Sequence, residues 1–163
     1  MPPAALADLR QIDTNRVLMD IEGIRQVNPQ RFEMEQLTAI VHIDREQHII
    51  IGYKDVGPDE FWARGHMPGF PLMPGVIICE AAAQLTAYYC STLNIMEGDF
   101  LAFSGLENVR FRGPVKPGDR LMLVAKATRI SRRSMQSHVQ GFVHEKMVFE
   151  GDILGMPFSK QER

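Results

Sequence analysis

The chain has 163 residues, 45% of them hydrophobic and 23% charged, with a formal net charge of -2 at pH 7. Those figures describe one globular domain with its own core and exclude a disordered, fibrous or two-domain chain. Near-neutral charge removes the bulk attraction behind sequence-independent nucleic-acid binding, and no uncharged apolar run reaches the about 20 residues that membrane insertion takes.

Cys79 and Cys90 are the only cysteines. They share an apolar stretch without C-x-x-C spacing, which reads as two core residues in a reducing compartment. The start, MPPAALADLR, lacks both a basic opening and a sustained apolar run, so a cytoplasmic location is expected.

Residues 4–26 place Leu9, Ile12, Leu18, Ile21 and Ile24 among charges, with helix-weakening Asn15 and Gly23. Residues 1–34 are therefore read as an amino-terminal arm, amphipathic or irregular. From Leu37 to Tyr53, β-branched and aromatic runs flank Asp44-Arg45-Glu46-Gln47, a hairpin pattern. Asp55 to Pro74 is dense in Gly and Pro, which forbids regular structure and fixes an irregular path; an ordered loop of that length usually serves function. Val76 to about Leu93 is apolar nearly all round and rich in Ala, the pattern of a buried helix, with Asn94 and Gly98 as its stop. Strands are expected at Leu101–Phe111, Leu121–Ile130, Met135–His144 and Met147–Met156, separated by natural turns. One helix among six strands leaves no room for β-α-β units. The expected fold is α+β, an antiparallel sheet of about six strands wrapped around one long buried central helix, spanning 35–158 with a polar tail at 159–163. Free sheet edges are commonly covered by pairing across a dimer.

Three features carry chemistry. Glu80 and Gln84 are the polar exceptions in the first turns of the helix, on one face. Loss of hydration there favours a neutral carboxyl, so Glu80 is a candidate proton donor, with a structural Glu paired to an Arg or capping a backbone group as the competing reading. His66 lies in the rigid loop, in Gly65-His66-Met67-Pro68-Gly69, and is the candidate proton acceptor; His42, His48, His138 and His144 are read as structural. The helix entrance at Pro74-Gly75-Val76 offers free N–H groups and a positive dipole end to a developing oxyanion. A base, an acid and an oxyanion site suit proton abstraction beside a carbonyl with loss of a β-oxygen.

The run from Gly65 to Gln84, GHMPGFPLMPGVIICEAAAQ, resembles the signature of the hot-dog-fold (3R)-hydroxyacyl-[acyl-carrier-protein] dehydratases of the FabZ type. Val109 to Leu121, VRFRGPVKPGDRL, resembles the strand and turn after the helix in that family. The resemblance implies dehydration of 3-hydroxyacyl chains in fatty acid synthesis. His66 would take the C2 proton, Glu80 would protonate the departing C3 hydroxyl, Gln84 would hold Glu80, and Gly75 and Val76 would polarise the thioester carbonyl. Met67, Pro68, Gly69, Phe70 and Met73 would line the substrate tunnel. It further implies no cofactor or metal, a homodimer sharing His and acid between subunits, with a trimer of dimers as a larger assembly, and acyl carrier protein as the partner bearing a phosphopantetheine-linked chain. Lys116, Arg129, Arg132 and Arg133 are candidates for docking that acidic carrier. Alternatives in view are a hot-dog thioesterase and a non-catalytic acyl-binding subunit. This chain has PQRFEMEQ at Pro29–Gln36 where the family usually carries PHRYPFLL, and Met67 in place of the usual Phe.

Overall fold

The computed structural model describes residues 1–161; Glu162 and Arg163, the end of the polar tail, lie outside the described residues. Six strands form one antiparallel sheet: β1 (Ala39–Asp44), β2 (Ile49–Asp55), β3 (Phe100–Phe111), β4 (Arg120–Ile130), β5 (Met135–Val143) and β6 (Lys146–Phe158), in the order β1-β2-β4-β5-β6-β3. The turns follow local chemistry. Asp44 accepts from the backbone N–H groups of Glu46 and Gln47 to close the β1–β2 hairpin. His144 and Glu145 both take positive φ between β5 and β6, the backbone that a two-residue hairpin turn needs.

After a short α1 (Ile21–Arg25) in the arm, the long helix α2 spans Gly75–Thr92. Its core residues Ala81, Ala82, Leu85 and Cys90 are wholly buried, packed with Leu121, Leu123, Val139 and Phe149 of the sheet. Asn94 at φ 55 and Gly98 at φ 138 turn the chain after the helix, where the sequence places its stop. A sheet curled round a single helix is the hot-dog arrangement. No described helix is long and apolar enough to cross a membrane.

The arm is irregular apart from short helical turns. Leu6, Leu9 and Ile12 pack on the sheet face away from α2, against a cluster that includes Val41, Ile51, Tyr53, Val124 and Phe142. The Leu6 N–H donates to the Gln140 side chain at 2.8 Å, and the same amide donates back to the Ala4 carbonyl at 3.0 Å. Farther along, Leu18 and Met19 hydrogen-bond to Ile40 and so cover the β1 edge. The opposite edge, β3, has no strand on its outer side among the described residues and exposes Phe103, Leu106 and Phe111. Such an edge invites pairing with another chain.

Candidate active site

The Gly- and Pro-rich loop is pinned at both ends. Glu60 pairs with Lys54 at 2.9 Å and accepts from the Gly57 N–H, while Met73 N–H donates to the Val115 carbonyl. Between these anchors His66 is held by its backbone, its N–H donating to Trp62 and its carbonyl accepting from Leu72 at 2.7 Å. The imidazole Nδ1 lies 2.8 Å from the Leu72 carbonyl oxygen. A carbonyl can only accept, so Nδ1 carries the proton and Nε2 of the neutral ring is left as the proton acceptor. His66 opens into a groove of about 430 Å³ shared with Met73, Gly75, Val76 and Phe111.

That groove contains the start of α2. Pro74 caps the helix through its carbonyl, which accepts from Ile77 and Ile78, and the Gly75 and Val76 N–H groups have no acceptor among the described residues. Unpartnered first-turn N–H groups at the positive end of a helix suit an oxyanion. At Gly75 the backbone lies close under the Phe111 ring: an added Cβ would meet it at 2.6 Å, so the ring would have to move aside.

Glu80 lies one turn further along, half-buried, and forms no ion pair among the described residues, so the structural Arg pair does not occur. Gln84 holds it instead. The Gln84 Nε2 donates to Glu80 Oε1 at 2.8 Å and to the Met34 carbonyl at 2.6 Å, while Gln84 Oε1 accepts from the Gln36 N–H at 2.9 Å. Asn28 adds a bond from its side-chain amide to the Gln84 carbonyl. With every Gln84 amide group engaged, one Glu80 oxygen is fixed and the carboxyl is aimed rather than free to rotate.

Within one chain the two candidate catalytic residues are not brought together. Glu80 opens into a different, small cavity of about 50 Å³ against Ala83, Leu101, Phe103 and Leu154. Of the expected tunnel residues, Met73 is buried beside the His66 groove, whereas Met67 and Phe70 are exposed on the tight reversal that also holds Pro68 and Gly69. Lys116 stands beside this loop, its Nζ 5.7 Å from the centre of the Phe70 ring. Arg129, Arg132 and Arg133 lie at the opposite end of β4, an 11-residue strand, more than about 30 Å away along it, with Arg132 paired to Glu97. The four basic residues therefore form two separate groups in one chain. Sequence reading missed the supporting groups, Asn28, Gln36, the Met34 carbonyl and the Leu72 carbonyl. Three act through the backbone, which leaves no side-chain signal. No cluster of three or more His, Cys, Asp or Glu able to hold a metal occurs among the described residues.

Residues 28–152 match the family model described as the FabA-like domain. The 3-hydroxyacyl-[acyl-carrier-protein] dehydratase FabZ of Lawsonia intracellularis is 34% identical over 145 residues, covering 87% of this chain and 94% of the relative. Its namesake from Syntrophobacter fumaroxidans is 36% identical over 147 residues, covering 89% and 99%. Among solved structures, the dehydratase heterocomplex ApeI:P from Xenorhabdus doucetiae aligns with a TM-score of 0.70 at 14% identity, covering 85% of this chain and 93% of that one. The E. coli PaaI protein aligns at 0.57 and 16% identity, covering 72% and 80%. At such identities these structures speak for the fold alone.

Proposed function

The chain belongs to the FabA-like family, and from that premise we propose that it dehydrates (3R)-3-hydroxyacyl-[acyl-carrier-protein] to the trans-2-enoyl thioester in fatty acid synthesis, as a cytoplasmic homodimer. The observation that carries the reading is the His66 imidazole with Nδ1 bonded to the Leu72 carbonyl, which leaves Nε2 as the base.

The chemistry balances with the residues present. His66 Nε2 takes the C2 proton, made acidic by the neighbouring thioester carbonyl, and becomes imidazolium. The electron pair moves toward the carbonyl oxygen, where the Gly75 and Val76 N–H groups stabilise the charge. As the pair returns to form the C2–C3 double bond, the C3–O bond breaks and Glu80 gives its proton to the departing hydroxyl, releasing water. A later proton transfer from His66 to Glu80 restores the starting state.

Sharing the site between two subunits is supported by β3. Phe111 at its end belongs to the His66 groove, while Leu101 and Phe103 near its start line the Glu80 cavity. Two β3 edges pairing antiparallel across a two-fold axis bring the end of one strand against the start of the other, and thus His66 of one subunit toward Glu80 of its partner. Met67, Pro68, Gly69 and Phe70, exposed in the single chain, then become walls of a tunnel at the junction. Lys116, next to Phe70, is the docking cation nearest the His66 mouth.

The test is spectroscopic. A 3-hydroxyacyl thioester should give enoyl absorbance without release of free thiol, and His66→Ala or Glu80→Gln should lower the rate by about 10²- to 10⁴-fold. Full activity in His66→Ala removes the assigned base; thiol release in place of absorbance would make the protein a thioesterase.

A further inference from the structure

Beyond Glu80, a second cavity of a different character adjoins the small one that Glu80 lines. The small Glu80 cavity and a larger one of about 330 Å³ at the carboxyl end of α2 have three residues in common, Gln30, Ala87 and Leu101. Along the helix, Ala83 and Ala87 follow Glu80 on the same side, and small side chains there leave room for a chain lying against α2. The far cavity, by contrast, is ringed by polar groups, among them Asn28, Ser91, Asn94 and Asp99. A tail that ended as plain hydrocarbon would be poorly matched to that end.

Gln30 stands at the partition. Its Oε1 is buried and meets no donor, and its side chain makes no hydrogen bond with another described residue. Buried amide oxygens without partners are rare because they cost stability, so one beside a substrate cavity calls for a partner that the chain does not supply. The contrast with Gln84 is instructive: that amide, one turn beyond Glu80 on α2, has every group engaged within the fold.

We infer that Gln30 is a specificity-determining residue whose amide oxygen accepts a hydrogen bond from a donor on the substrate tail, so that the preferred substrates are 3-hydroxyacyl thioesters bearing a hydroxyl or similar donor beyond the reacting carbons. The seven residues from Glu80 to Ala87 span about 10 Å of helix, which sets the distance between C3 and that donor. The inference rests on the dehydratase reading and deepens it.

The experiment compares three matched ladders of 3-hydroxyacyl pantetheine thioesters, ending in methyl, in hydroxyl, or in methoxy, which accepts but cannot donate. At the length that reaches Gln30, the wild-type kcat/KM should be about tenfold higher for the hydroxyl chain than for either of the others, the discrimination of one hydrogen bond made to a buried group. In Gln30→Met, of similar size, that ratio should fall to near one while the methyl chain is turned over at least as well. Equal wild-type rates at every length, or an equal gain from methoxy, overturn the inference even if Gln30→Met cannot be purified. An unchanged ratio in Gln30→Met does so too. Absence of turnover for all three ladders instead overturns the dehydratase reading itself, and the tail preference with it.

Discussion

The role proposed for His66 rests on an atom six residues away in the chain, the Leu72 carbonyl, and Glu80 owes its orientation to Gln84, whose own partners lie about fifty residues earlier. The sequence makes both proposed reacting residues legible, because a His in a Gly- and Pro-rich loop and a Glu in an apolar helix are each out of place. It does not make the supports legible, since a main-chain carbonyl looks the same at every position. Burial has a second effect at this scale. It pushes the Cys79 thiol from 9.0 up to about 11 and the Cys90 thiol to about 12, because the thiolate would sit without water or a cation. Well below pH 9 both thiols are protonated whether the chain is folded or not. Above it the unfolded chain loses these protons and the folded one keeps them, so stability should decline as pH rises from about 9 toward 11–12. Tyr88 and Tyr89, also raised by burial, act in the same direction. In native protein near pH 8, alkylation of both cysteines should proceed only at the rate of unfolding. Rapid labelling of Cys79 in the folded state would show that α2 is not packed as described.

At the scale of elements, strands and helix fall within about two residues of the positions read from hydrophobic period, because each buries one face against a continuous core and the period reports that face. The arm is the exception. Leu6, Leu9 and Ile12 recur every three residues, yet charges interrupt them, and the surface they cover is assembled from β1, β2, β4 and β5. No local pattern encodes a match to a surface made of four distant segments. The buried polar residue Gln140, on β5, makes sense only once the arm supplies its partners. Deleting residues 1–12 should uncover Val41, Tyr53 and Phe142 and cost on the order of 2–4 kcal/mol from lost apolar burial. A lower Tm and light scattering on warming are the expected readings. The rate of the folded fraction should hold, since His66 and Glu80 lie on the helix side of the sheet. A parallel loss of kcat with no change in Tm would place the arm in catalysis instead of packing.

For the whole molecule, the chain's own geometry poses a problem that one copy does not solve: the base and the acid proposed to serve one substrate open into different cavities. The β3 edge, 12 residues long, exposes Phe103, Leu106 and Phe111 with no strand on its outer side among the described residues; it is where a second copy can answer the problem, and its two ends carry walls of the two cavities. A shared site has a consequence that a self-contained one lacks. His66→Ala and Glu80→Gln chains, each inactive alone, should regain activity when mixed and allowed to exchange subunits. In a mixed dimer one site receives both wild-type residues and the other neither. With random exchange half of the dimers are mixed, so recovery should approach about a quarter of the wild-type rate. A Leu106→Lys change on the β3 edge should reduce both dimer mass in solution and activity, by placing a charge in the pairing surface. If mixing restores nothing while exchange is verified by mass, each subunit holds a complete site, and the loop carrying His66 must close on Glu80 within its own chain.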